Sequence, residues 1–297
     1  MRIIAIDLGS NTLQIVKYNC KSKEVEDSFL KTVRTAQDLV DTKVVSKEAE
    51  NRVIKALQEA KKKLDFKNSK VIAVTTQALR VAKNAKEVIN NIKEQTSIEF
   101  KIISTKDEGK LTLKAVKARL DKLGIKQNFV LVDIGGGSTE LSYYIDGKIY
   151  SKSFELGIVT TANSCNSLDE IEQYVKAKSK EIQDYAKGFN NKELIFTATA
   201  GTPTTIAAMK RGLVYSTYDA NLVTGTKLSL EELDYYLDKL LKMSKEKKEI
   251  AVGVGRDDLI VAGVIIFKEI YKILGKSSAI VIDDGLSMGI AIEGCER

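Results

Sequence analysis

Asp133 ends an apolar run, glycines occupy positions 135, 136 and 137, and Ser138, Thr139 and Glu140 follow directly. This places a carboxylate, bare backbone, two hydroxyls and a second carboxylate in one short stretch. Such a set suits an anion held by main-chain N–H groups, next to acids that can hold a hard cation. Gly135, Gly136 and Gly137 would let the chain approach a phosphate closely. The competing reading is a tight turn with a bulge.

The same pattern occurs earlier in the chain. "IIAIDLGSNTLQIVKY" from Ile3 and "FVLVDIGGGSTELSYY" from Phe129 align without gaps. Asp7 falls on Asp133, Gly9 on Gly135, Thr12 on Ser138, Gln14 on Glu140 and Tyr18 on Tyr144. Each copy reads as a buried strand ending in Asp, a Gly-rich turn and a second strand. That is a β-hairpin with a nest of N–H groups at its tip. Matching positions in register point to an internal duplication. Two such turns facing one another, one per lobe, would make an interlobe cleft long enough for a chain of phosphates.

Composition limits the chemistry available. There is no histidine among the 297 residues, which excludes His-based triads, His–Cys zinc sites and imidazole acid–base steps. Proton transfer must fall to carboxylates, Lys, Tyr or water. The chain is 43% hydrophobic and 29% charged, a globular balance, and its net charge of +7 favours anionic partners or reflects a lysine-rich surface. No run has the length of a membrane span, and the N-terminus enters a strand-like pattern without a signal-peptide layout. Cys20, Cys165 and Cys295 are scattered, odd in number and without metal-ligand spacing, as expected of a reducing, cytoplasmic setting.

The elements that position these residues alternate between strand and helix signals. "KVIAVTT" and "IEFKIIS" read as strands. "SKEAENRVIKALQEAKKKL" reads as a helix with Val53, Ile54, Leu57, Ala60 and Leu64 on one face and Ser46 as its cap. Further on, "LDEIEQYVKAKSKEIQDYA" reads as one helix, "ELIFTATA" as a strand and "RDDLIVAGVIIFKEIYKIL" as a long buried helix. "SAIVIDDGLSMGIAI" reads as a strand, a turn and a final helix. The fold expected is α/β, with mixed sheets flanked by helices. The boundary between halves is placed in the "KLGIKQ" turn.

Seven stretches carry a family resemblance: "AIDLGSNT", "VTTQALRVAKN", "ISTKDEG", "VDIGGGSTEL", "TATAGTPTTIAA", "GRDDLIVAG" and "IDDGLSMG". They occur in the order of the motifs of the exopolyphosphatase/guanosine pentaphosphate phosphohydrolase family, of the actin–Hsp70–sugar kinase superfamily. The chain resembles that family from Ile3 to about Gly289. The resemblance implies two duplicated actin-like, ribonuclease H-like lobes, residues 1–123 and 124–285, with a final helix at about 286–297 packing back on the first. It resembles a short member, without the C-terminal His–Asp domain of longer ones.

The activity so implied is removal of a terminal phosphate from linear polyphosphate, from guanosine pentaphosphate, or from both. Glu108 matches the family's catalytic glutamate and would act as base, with neighbouring Asp107 the alternative. Both acids also suit the first turn of a helix. Asp133 would share in catalysis and, with Glu140, hold magnesium. Asp7 either joins them or braces its own turn. Ser10, Asn11, Thr12, Arg80, Gly135, Gly136, Gly137, Ser138 and Thr139 would bind substrate phosphates. For Arg80 the alternative is an ion pair. The partners implied are polyphosphate or guanosine pentaphosphate, with neither nucleic acid nor membrane, and a homodimer is left open.

The chain departs from the family pattern at Thr105–Gly109, and Thr160 and Ser287 stand where arginines are usual. Two rival readings remain. One is a kinase of the same superfamily, with "TATAGTPTT" as a nucleotide loop opening a helix at Pro203. The other is a binding regulator with little turnover.

Overall fold

The computed structural model describes residues 1–37 and 39–297. They divide into two compact units, Met1–Ala115 with Leu286–Arg297, and Val116–Gly285. The first break falls inside helix Thr105–Lys122. No glycine or proline marks that position, whereas the "KLGIKQ" turn just beyond the helix does carry such a signal.

The strands, in chain order, are β1 (Arg2–Leu8), β2 (Thr12–Asn19), β3 (Glu24–Thr32), β4 (Ser69–Thr75), β5 (Phe100–Ile102), β6 (Phe129–Ile134), β7 (Thr139–Ile145), β8 (Lys148–Phe154), β9 (Ile195–Thr199), β10 (Lys227–Ser229) and β11 (Ser278–Val281). The first unit holds a sheet ordered β3-β2-β1-β4-β5, and the second a sheet ordered β10-β11-β9-β6-β7-β8. In the first, β1 pairs antiparallel with β2 and parallel with β4, which pairs parallel with β5. In the second, β6 pairs antiparallel with β7 and parallel with β9, which pairs parallel with β11. The duplicated motif is therefore the first hairpin of each of two matching mixed sheets. β10 is an addition at the far edge of the second.

Burial explains the order. Ile3, Ile4, Ala5 and Ile6 of β1 and Phe129, Val130, Leu131 and Val132 of β6 are all buried, as continuous apolar runs in central strands must be. In unit 1, helix Lys47–Leu64 buries Val53, Ile54, Leu57, Ala60 and Leu64, and Ser46 caps it by accepting from the Ala49 N–H at 3.2 Å. The C-terminal helix Leu286–Glu296 adds Leu286, Met288, Ile290 and Ala291 to a core with Ile3, Ala5, Val16 and Val74. In unit 2, helix Ile260–Leu274 is buried nearly all round and stops at Gly275, whose φ of 60° forms a left-handed cap.

Three sequence expectations are corrected. The helix read over "LDEIEQYVKAKSKEIQDYA" is two, Leu168–Lys178 and Lys180–Ala186, hinged at buried Ser179. The helix after β9 begins at Gly201, so Pro203 lies inside its first turn rather than opening it. The cysteines are not all reduced: Cys20 and Cys295 form a disulfide, with Cα atoms 5.5 Å apart, and Cys165 remains a thiol. Packing of the last helix on β1 and β2 brings together two residues 275 positions apart, a proximity that spacing does not show. Among the described residues no helix is long and apolar enough to cross a membrane.

Candidate active site

Each unit contributes a turn at the tip of its first hairpin. In unit 1, Gly9 N–H donates to Thr12 O at 2.9 Å and closes the turn. The Ser10 carbonyl accepts from Ala36 N–H, and the Asn11 carbonyl from Val33 and Arg34 N–H, each at 2.9 Å. The carbonyls are thus tied to the segment after β3. None of these bonds uses the Ser10 or Asn11 N–H. Both residues are buried and Thr12 is half-buried. Asn11 Oδ1 is buried and meets no hydrogen-bond partner among the described residues. A buried polar atom in that condition calls for a ligand or a water.

Unit 2 repeats the device. Gly135 N–H donates to Ser138 O at 2.9 Å, while Gly135 O accepts from Ile158 N–H at 3.0 Å and Gly136 O from Val159 N–H at 2.8 Å. Again the carbonyls are fixed by the segment after the third strand, and these bonds leave out the N–H groups of Gly136, Gly137 and Ser138. The packing is close. A Cβ on Gly157 would sit 2.4 Å from Gly136 O and from the Gly137 carbonyl carbon. None of the three turn glycines has positive φ, so handedness does not account for them; at Gly135 a Cβ would lie 3.2 Å from Ser138 O. Thr139 Oγ1 donates to Leu156 O at 2.5 Å. The Thr139 hydroxyl proton is therefore committed to the scaffold.

The carboxylates differ between the copies. Asp133 lies directly opposite Glu140 in the β6–β7 register, whereas Asp7 lies opposite Gln14 in β1–β2. Glu140 is 3% exposed and accepts on Oε1 from Ser138 Oγ at 2.7 Å and from Ser153 Oγ at 2.6 Å. Among the described residues no three His, Cys, Asp or Glu side chains cluster as a self-sufficient metal cage.

Unit 1 also pairs Arg80 with Glu108. Arg80 Nη2 donates to Glu108 Oε2 at 2.5 Å, Nη1 to Gln77 Oε1 at 3.2 Å and Nε to Ile103 O at 3.1 Å. Arg80 is thus in an ion pair, with both side chains mostly buried at 19% and 12% exposure. Burial pushes the Glu108 carboxyl above the usual carboxylate range, against the opposing pull of Arg80 and the Thr76 hydroxyl. Asp107 has a different job. It is exposed, accepts from Ser104 Oγ at 2.7 Å, and its N–H donates to that oxygen at 3.1 Å, closing the first turn of helix Thr105–Lys122.

The family model described as the Ppx/GppA phosphatase family matches residues 28–296. The chain belongs to this family. It is 26% identical over 326 residues to the "Bifunctional 3-dehydroquinate synthase/phosphatase" of Fusobacterium nucleatum, covering 99% of this chain and 46% of that protein. The chain thus spans about half the length of that relative. It is 24% identical to the "Exopolyphosphatase 2" of Mycobacterium tuberculosis, over 98% of both chains. Among solved structures, the Aquifex aeolicus PPX-GPPA enzyme superposes with a TM-score of 0.78 at 27% identity, over 99% of both chains.

Sequence reasoning did not find a second polar cluster in this family member's unit 2. Arg256 Nη2 donates to Gly201 O and to Thr205 Oγ1, each at 2.9 Å, and Tyr218 OH donates to Asp283 Oδ1 at 2.5 Å. Burial, aided by the charge of Asp284, pushes the Asp283 carboxyl up to about 6. Ala200, with φ 71°, turns the chain sharply before the helix. Ser153 was missed too, because only strand register places it against Glu140.

Proposed function

We propose that the chain hydrolyses phosphoric anhydrides, releasing terminal phosphate from linear polyphosphate, with guanosine pentaphosphate as the second substrate to be assayed. The observation that carries this reading is Glu108: a mostly buried carboxylate with raised proton affinity, oriented by Arg80. A base with its pKa moved toward neutrality can take a proton from an attacking water. Asp107, used in capping its helix and exposed, is the weaker candidate.

Phosphoryl transfer needs positioning and charge neutralisation more than covalent help. The N–H groups of Ser10 and Asn11, and those of Gly136, Gly137 and Ser138, are suited to phosphate oxygens, because the turn carbonyls are already tied down. The donor set fits magnesium, which takes one or two carboxylates and completes its shell with phosphate and water oxygens. Asp133 and Glu140 are such a pair of hard oxygen donors. Bound there, the ion would neutralise charge on the phosphate oxygens. Asp7, opposite a neutral glutamine, is better suited to bracing its turn.

The test is a time course with magnesium on polyphosphate of defined length, resolved by gel and by free phosphate, beside guanosine pentaphosphate. Phosphate release with progressive shortening from the ends supports the reading. Early mid-length fragments, or no release from either substrate, contradict it.

A further inference from the structure

Strand register sets four polar side chains in one row across the second sheet: Thr199 on β9, Asp133 on β6, Glu140 on β7 and Ser153 on β8. The equivalent row of the first sheet reads Asp7, Gln14 and Leu30. The second row therefore has an acid where the first has an amide, and a hydroxyl where the first has an exposed leucine. Two carboxylates directly opposite one another repel unless something compensates. Here two hydroxyls converge on one oxygen of Glu140, Ser138 from the glycine turn and Ser153 from the edge strand.

We propose that Ser153 is a positioning residue, which with Ser138 pins Glu140 by Oε1 and so fixes how Glu140 faces Asp133 and whatever cation that pair holds. Ser138 donates its hydroxyl proton to Glu140 and has no second one, so it serves a phosphate through its N–H and offers only lone pairs from Oγ. This assignment rests on the acid pair acting as the cation half-site of a phosphatase. The neighbouring row supplies a control. Ser142 and Ser151 pair through their hydroxyls at 2.7 Å on the same two strands, with no carboxylate between them.

The experiment compares the parent with Ser153→Ala, Ser153→Thr and Ser151→Ala. The readouts are manganese binding without substrate, followed by the electron paramagnetic resonance of the free ion, then the magnesium dependence of phosphate release. Loss of a residue that orients a ligand costs roughly 10–100-fold in metal affinity or activity. Ser153→Ala is expected to weaken manganese binding by about that factor, with Ser153→Thr restoring it and Ser151→Ala unchanged. Equal affinity in the parent and Ser153→Ala, an equal loss in Ser151→Ala, or no manganese binding by the parent would each overturn the assignment. A parent that binds manganese but releases no phosphate would sink the hydrolase reading instead, and the manganese series would still decide the role of Ser153.

Discussion

Cutting the Cys20–Cys295 bond should destabilise unit 1 far more than its two sulfur atoms suggest. The bond closes a loop of 275 positions. The chain-entropy relation gives roughly 5–6 kcal/mol at 25 °C for a loop that long. If unit 2 stays folded while unit 1 opens, the flexible part of the loop falls to about 100 residues, worth roughly 4.7 kcal/mol. That second case needs the two chain exits from unit 2 to stay fixed, and Arg119 supports this. It holds Asp284 through two bonds, at 2.5 and 3.1 Å, beside the exits at Val116 and Gly285. Both routes give about 5 kcal/mol as an upper estimate. With a urea m-value of about 2 kcal/mol/M, the midpoint should drop by up to about 2.5 M. The chain has no tryptophan, so circular dichroism is the appropriate probe. Oxidised protein, reduced protein and Cys20→Ser should be compared, with the latter two coinciding. Identical midpoints for all three would refute the reasoning.

Gly157→Ala should disturb the glycine turn, since the added methyl meets backbone of Gly136 and Gly137 rather than a movable side chain. Overpacking of this kind costs about 1–3 kcal/mol, and steady-state kinetics should show a raised KM for polyphosphate. Asp283, with its folded pKa near 6, binds its proton more tightly than an unfolded aspartate near 3.9. Its stabilising contribution is thus complete below about pH 4 and is lost as pH rises through about 6. Asp283→Asn should flatten the fall in stability across that window, as read from urea midpoints at several pH values. The rate of phosphate release should rise with pH through a pKa above the ordinary carboxylate range, because burial favours the protonated form of Glu108, which cannot act as base. A rate independent of pH from 4 to 8 would argue against Glu108.

The duplicated hairpins were legible because their information is local: an apolar run, an Asp, glycines and hydroxyls in fixed register. Ser46 was equally legible as a cap, since capping acts over three residues. What escaped depended on contacts between distant segments. Cys20 and Cys295 meet only because the last helix packs on the first sheet. Ser153 meets Glu140 only through the β7–β8 register, which a one-residue slip would destroy. By type alone Arg80 suits either a phosphate clamp or an ion pair, and its Glu108 partner lies 28 residues away on another helix. The break at Ser179 was hidden because the helical pattern runs through it without glycine or proline.

The most direct test of the account is phosphate release from polyphosphate by the parent, Glu108→Gln and Asp107→Asn under saturating magnesium. Glu108→Gln keeps the shape and a hydrogen-bond acceptor for Arg80 but removes the base. A positioned base is worth roughly 10²–10⁴-fold, so turnover should fall by that factor while substrate binding changes little. Asp107→Asn should lose only part of a helix cap and keep near-parent turnover. Near-parent turnover in Glu108→Gln, with collapse in Asp107→Asn, would contradict the account.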